Sequence, residues 1–526
     1  MRSESSWLGR CTPVIWTPVV LFLVVCVAVG AAGAAGNPPL VDAVKRGDMA
    51  AARALLAKRA DVKAALPDGT TALHWAVEHD DAEVTALLIA AGADANAATA
   101  FGITPLSLAG KNGNPAIVGA LLRAGANPNA PLRTGETPLM TAARTGRPEA
   151  LSLLIAAGAD LNVKEPVAGQ TAVMWAIAEQ HAEAVRVLLE AGASVREASK
   201  RGFTPLLFAA RNGDQKITEM LLAAGVGVNE AAGDGTTALV IAAIRSHIEY
   251  AKFLLAKGAD PNQGPGFTPL HWVVGDWSSE LAGEKTAVRP EGTEWDRLLP
   301  IEGQPKLDFI EVLLKHGADV NARAKTAPRS AVGMRGSQGG GGGFGGRGAR
   351  LAGATPFFIA AVHAEVPLMK FLVAHGANPL TRTERSVSPL MAAAGLDSGE
   401  SIGYTGVLER DAVEAVKLCL ELGDDVQTVS VDGENALHGA SYRGNAGSNE
   451  LATLLIEKGI AVDIKNKRGW TPVTLAEGIY TQNSNSKNPD LERLLLARGG
   501  KPSPAGIERD AYAVIEEPET PKEPKK

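Results

Sequence analysis

"TALHWAVEHDDAEVTALLIAAGADAN", residues 71–96, contains two apolar runs separated by a charged break. The first run starts after Thr71 and ends near Val77. The second runs from Ala82 and stops at Gly92. Two short helices joined by a polar turn fit this pattern: Thr71 offers a hydroxyl to a free backbone N–H at the first helix start, and Gly92 takes a left-handed stop cheaply. The polar "ADAN" then leads the chain away. The break also gathers His74, Glu78, His79, Asp80 and Asp81, the side chains a metal hydrolase would use. The stretch is therefore either a site or one copy of a structural unit.

Its siblings decide between the two. The opening phrase recurs as "TPLSLA" at 104, "TPLMTA" at 137, "TAVMWA" at 171, "TPLLFA" at 204 and "TALVIA" at 237. It continues as "TPLHWV" at 268, "TPFFIA" at 355, "SPLMAA" at 388, "NALHGA" at 435 and "TPVTLA" at 471. The first five steps are 33, 33, 34, 33 and 33 residues. Internal repetition at such a period marks a stacked array. "LVDAVKRGDMAAARALLAKRADV", residues 40–62, reads as a degenerate first copy.

The T-P-L-H-x-A signature at this period resembles the ankyrin repeat family, from about Leu40 to Gly500. The resemblance implies an all-α solenoid of about twelve helix-turn-helix units with hairpin-like loops. A single unit buries too little apolar surface to fold alone, so each needs its neighbours. Proline after the cap is preset for a first helical turn.

The repeat also answers the metal question. The His74 register holds His271 and His438, and elsewhere Ser107, Met140, Met174, Leu207, Val240, Phe358, Met391 and Thr474. A slot that accepts apolar residues freely is structural. In ankyrin repeats this histidine links turns by hydrogen bonds, and the resemblance implies that role here. His74 and His79 are five apart, not the four that put two ligands on one helical face. No catalytic, cofactor or metal residue is assigned. Trp75 shares its register with Leu108, Thr141, Trp175, Phe208, Ile241, Trp272 and Ile359, which reads as a core position.

Four units are longer than the rest. Leu73 to Leu87 spans 14 residues, a distance kept in the regular units. The units opening at 268, 388, 435 and 471 exceed it, always between their two helices, so the insertions share one edge. The longest, 276–306, carries Trp277 and Trp295; the next carries Tyr404. A Gly-rich stretch, 326–352, with Arg347 and Phe344 in its glycine tract, is expected to be a flexible linker between arrays 40–325 and 353–503. The tail, 504–526, is expected to be disordered.

The N-terminus follows different rules. Arg2 and Arg10 precede an uncharged apolar run that turns to Ala and Gly. Residues 1–36 read as a signal peptide, with an uncleaved membrane anchor over 14–35 as the alternative. Export to the periplasm or the cell exterior is expected. Of three cysteines, only Cys419 would survive cleavage, and its apolar helical setting makes it a buried thiol rather than a reactive one. The net charge of −6 leaves no nucleic-acid footprint.

The expected function is non-catalytic: a monomer that holds a protein partner through its groove and inserted loops. Trp277, Trp295 and Tyr404 are the first candidate contacts. Arg133, Lys200, Arg201 and Arg385, at hairpin tips, come next. Two alternatives remain: an enzyme site built on the 276–306 insertion, and a nucleic-acid binder using 324–354. Salt dependence would identify the latter.

Overall fold

The computed structural model describes residues 37–275, 302–325, 351–396, 407–443, 448–481, 484–485 and 487–509. Among them are 24 helices, and they fall into twelve consecutive pairs. Unit 1 is Pro39–Lys45 with Met49–Ala57, so the degenerate first copy is a full unit. Unit 2 is Ala72–Glu78 with Ala82–Ala90. Unit 12 is Pro472–Glu477 with Pro489–Ala497. First helices stack on first helices and second helices on second, and the first-helix layer packs more closely. Unequal spacing of the two layers curves a solenoid toward its tighter side.

Local chemistry sets each pair. Thr104, Thr237 and Thr355 accept the N–H of Ser107, Val240 and Phe358 at 3.2 Å. Asp48, Asp81 and Asp214 cap the second helices of units 1, 2 and 6 at 2.8–2.9 Å. Gly92 sits at φ +91° with open space where a side chain would be. There any other residue would be strained by its backbone alone. One apolar core runs from Leu40 to Leu495.

Three sets of bonds tie unit to unit. The hairpin tips join by backbone: Ala100 N–H donates to Asp68, Arg133 to Phe101, and Lys200 to Ala168, at 2.7–3.0 Å. At the far edge an asparagine ladder runs along the array. Asn96 donates its amide to the Gly125 carbonyl at 2.8 Å and accepts the Asn127 N–H at 2.8 Å. Asn129 repeats this with Gly158 and Asp160, Asn229 with Gly258 and Asp260. The third set is histidine. The Nδ1 of His74 accepts the Thr71 N–H at 3.2 Å, and its Nε2 bonds the Ile103 carbonyl of unit 3 at 3.0 Å.

All four insertions separate a first helix from its second: Pro269–Val274 from Gly303–Lys315, Pro389–Ala393 from Glu409–Glu421, Ala436–Tyr442 from Asn449–Glu457, and the pair of unit 12. The unit 12 insertion carries a departure from the all-α expectation. Tyr480–Thr481 pairs antiparallel with Ser484–Asn485.

Most of the stretch expected as a linker, 326–350, lies outside the described residues, but the residues flanking it are described. Every tie found within the regular array also crosses it. Asn321 donates to the Gly376 carbonyl at 3.0 Å and accepts the Asn378 N–H at 2.7 Å. His271 reaches the Ala354 carbonyl at 3.2 Å. Ala324 N–H donates to Ala354, and Gly353 N–H returns to Ala324. The two ends of the Gly-rich stretch are therefore bonded to each other. The units on either side stack as neighbours. Sequence reading missed this because glycine content reports what a segment can do when free, not where its ends are held.

The first residues of the expected tail are ordered against the array. Residues 504–509 pack on unit 12: Ile507 lies against the cluster of Trp470, Leu475 and Ile479. The indole N–H of Trp470 donates to the Glu508 carbonyl at 2.7 Å, and Arg509 pairs with Glu477.

Candidate interaction face

The set that prompted the metal question is spread over different structural roles, with His79 and Asp80 exposed. His74 is buried between Thr71 and Ile103. Glu78 ends the first helix and pairs with Lys111 of unit 3 at 3.1 Å. The His79 ring lies 6.0 Å from that of Trp75, and Asp81 caps the second helix. Among the described residues no cluster of three or more His, Cys, Asp or Glu could hold a metal ion.

The histidines are held neutral. Burial lowers the pKa of His74 and His438, and brings His271 down to about 4. Nδ1 accepts the Thr268 N–H and Nε2 meets the Ala354 carbonyl. That arrangement requires the proton on Nε2. Cys419 is buried, and burial pushes its thiol up, as expected of a structural cysteine.

The first-helix face carries the surface chemistry. Two registers lie beside each other along it, four and seven residues after each cap. The Trp75 register is not uniformly core. Trp75 and Trp175 are half-buried, Phe208 is 4% exposed and Trp272 is 6% exposed. The partner register reads Lys45, Glu78, Lys111, Arg144, Ala178 and Arg211 through units 1–6. In units 7–12 it reads Ile244, Gly275, Val362, Gly395, Tyr442 and Gly478. Lys45 Nζ lies 5.2 Å from the Trp75 ring centre, Arg144 5.3 Å from Trp175, and Arg211 5.3 Å from Phe208. Cations over aromatic faces are attracted by the ring quadrupole. Arg144 also pairs with Glu136 at 3.1 Å. The cation row was missed in the sequence. Reading the seventh position after each cap down the alignment would have found it.

The hairpin-tip candidates divide. Arg133 is exposed, with one guanidinium bond to the Ala100 carbonyl at 3.3 Å. Lys200 is exposed but bonded to the Pro166 carbonyl, and Arg201 is exposed. Arg385 is half-buried and ion-paired with Asp432 of the next hairpin. It serves the stack, which corrects its assignment as an open contact. Trp277, Trp295 and Tyr404 lie outside the described residues, as do most of 276–306 and all of 326–350, so both alternative readings rest on sequence alone.

A family model for ankyrin repeats, three copies long, matches residues 18–99, 82–165, 157–232 and 206–280, half of the chain. The chain is an ankyrin-repeat protein. The potassium channel AKT1 of Oryza sativa, in its indica and japonica forms, is 36% identical over 83 residues. That match covers 16% of this chain and 9% of the channel. The human ASB11 ankyrin repeat domain is 28% identical, over 42% of this chain and 99% of that one, at a TM-score of 0.39. Ankyrin repeats are in general protein–protein interaction modules, and the array here has the continuous stacked face such modules present.

Proposed function

We propose that this ankyrin array is a non-catalytic, monomeric scaffold that holds a protein partner across its first-helix face. The observation that carries this reading is the pair Trp75 and Trp175, half-buried on the first-helix face and each under a cation. Aromatic side chains flanked by Arg or Lys are the usual energetic anchors of an interface. Exposed Arg133, Lys200 and Arg201 extend the face to the hairpin tips. Trp277, Trp295 and Tyr404, in the inserted sequences, complete the candidate contacts. The basic start, uncharged apolar run and Ala/Gly exit of the N-terminus support export with removal of about the first 36 residues, giving a periplasmic or extracellular protein. Among the described residues no helix is long and apolar enough to cross a membrane.

Affinity capture with residues 37–526 tests the scaffold. A Trp75→Ala/Trp175→Ala variant is expected to lose the captured protein while keeping its helical circular dichroism. Undiminished capture by the variant would refute the assignment of this face. N-terminal sequencing of the chain from its native host is expected to begin near residues 30–37; an intact Met1 in the membrane fraction would establish the anchor instead.

A further inference from the structure

Along units 1–6 the two facing registers complement each other. Units 1, 3, 4 and 6 carry a cation: Lys45, Lys111, Arg144 and Arg211. Units 2 and 5 carry none at that position, and these are the two units with tryptophan beside it, Trp75 and Trp175. The order along the face is cation, indole, cation, cation, indole, cation. The chain as a whole is acidic, at −6, so the row is a local departure from its composition. It ends at unit 7, where Ile244 takes the position.

We propose that this face takes an extended acidic peptide segment of a partner protein, running across the units. The proposal rests on the scaffold reading above and supplies its partner's chemistry. Packed helices lie about 8–10 Å apart, and a chain in the extended polyproline II conformation advances about 3.1 Å per residue with three residues per turn, so every third side chain faces the array. Three residues of such a peptide span one unit. A carboxylate at position 1 meets Lys45, and others at 7, 10 and 16 meet Lys111, Arg144 and Arg211. Apolar side chains at 4 and 13 fall on Trp75 and Trp175. Both indole N–H groups are buried without an acceptor. A bound backbone carbonyl supplies one when the cation above the ring swings onto a carboxylate. Lys111 and Arg144 pair with Glu78 and Glu136 at 3.1 Å in the unbound array, so the peptide's carboxylates at 7 and 10 exchange with those partners.

The test uses residues 37–526 and fluorescein-labelled peptides of 16 residues. One has Glu at 1, 7, 10 and 16, Leu at 4 and 13, and Ser elsewhere. The second has the same composition with Glu and Leu moved out of the three-residue phase. The phased peptide is expected to bind about ten-fold tighter, since four solvent-accessible ion pairs at a few tenths of a kcal/mol each reach about that ratio. Lys45→Gln/Lys111→Gln/Arg211→Gln should abolish the preference without moving the thermal melt; Lys45→Gln alone should reduce it in part. Equal binding of the two peptides, or none, overturns the proposal. So does tighter competing binding by a single-stranded RNA of 16 nucleotides, which would assign the row to phosphate. If the phased peptide fails while capture still depends on Trp75 and Trp175, the acidic-peptide chemistry falls and the scaffold stands.

Discussion

Units 1–6 and units 8–12 use the same stacking bonds for different ends. The first group has short turns and a face of cations and rings. The second has no charged residue in the register seven after each cap, and each of its units except unit 9 has an insertion between its helices. The contrast shows that repeat regularity and stack continuity are separate properties. His271 bridges 83 residues of sequence to make the bond His74 makes across 29. Chain length was added to the second group without opening the stack.

The largest expected effect lies at that bridge. His271 titrates near 4 when folded and near 6.5 when unfolded. The unfolded chain binds the extra proton first, so stability is complete above about pH 6.5. It falls as the pH drops toward 4, by up to ~3 kcal/mol from this residue. His271→Leu, which places here the residue that unit 6 has as Leu207, should flatten that window. Hydrogen exchange of units 8 and 9 against pH measures it. An unchanged profile in the variant would show that the bridge is not the acid-sensitive point.

A smaller effect tests continuity. Asn129→Ala and Asn321→Ala should each cost ~1–2 kcal/mol in urea unfolding, two hydrogen bonds apiece. Asn129 sits in the regular group, Asn321 before the Gly-rich stretch. A joint that bends would make the second substitution nearly free, and the comparison would break there.

The smallest effect concerns the stretch itself. Replacing 326–350 with Asn-Gly should leave the urea midpoint unchanged or raise stability by up to ~1 kcal/mol, because a shorter closed loop costs less entropy. Loss of stability would mean that the removed residues brace the stack.

The fold was legible because the repeat states it many times over. Thr71, Leu73 and Gly92 each recur in equivalent places, so one copy explains the others. The role of His74 followed from the apolar residues that replace it elsewhere. The face was legible only in part. Trp75 looked like core because its register is filled by Leu, Ile and Phe, and only packing reveals that units 2 and 5 leave the ring half open. The role of Arg385 depends on Asp432, 47 positions away, a pairing no periodicity announces. The Gly-rich stretch misled for the same reason: the bond between Ala324 and Ala354 is invisible along the chain.

The seal at the C-terminal end has a consequence in time. Trp470 finds its acceptor only at Glu508, and Glu477 its cation only at Arg509. A ribosome releases units 1–11 in order, each able to settle on the one before. Unit 12 must wait for the residues that follow it. A chain truncated near residue 500 would therefore have the whole N-terminal face and a last unit without these two partners.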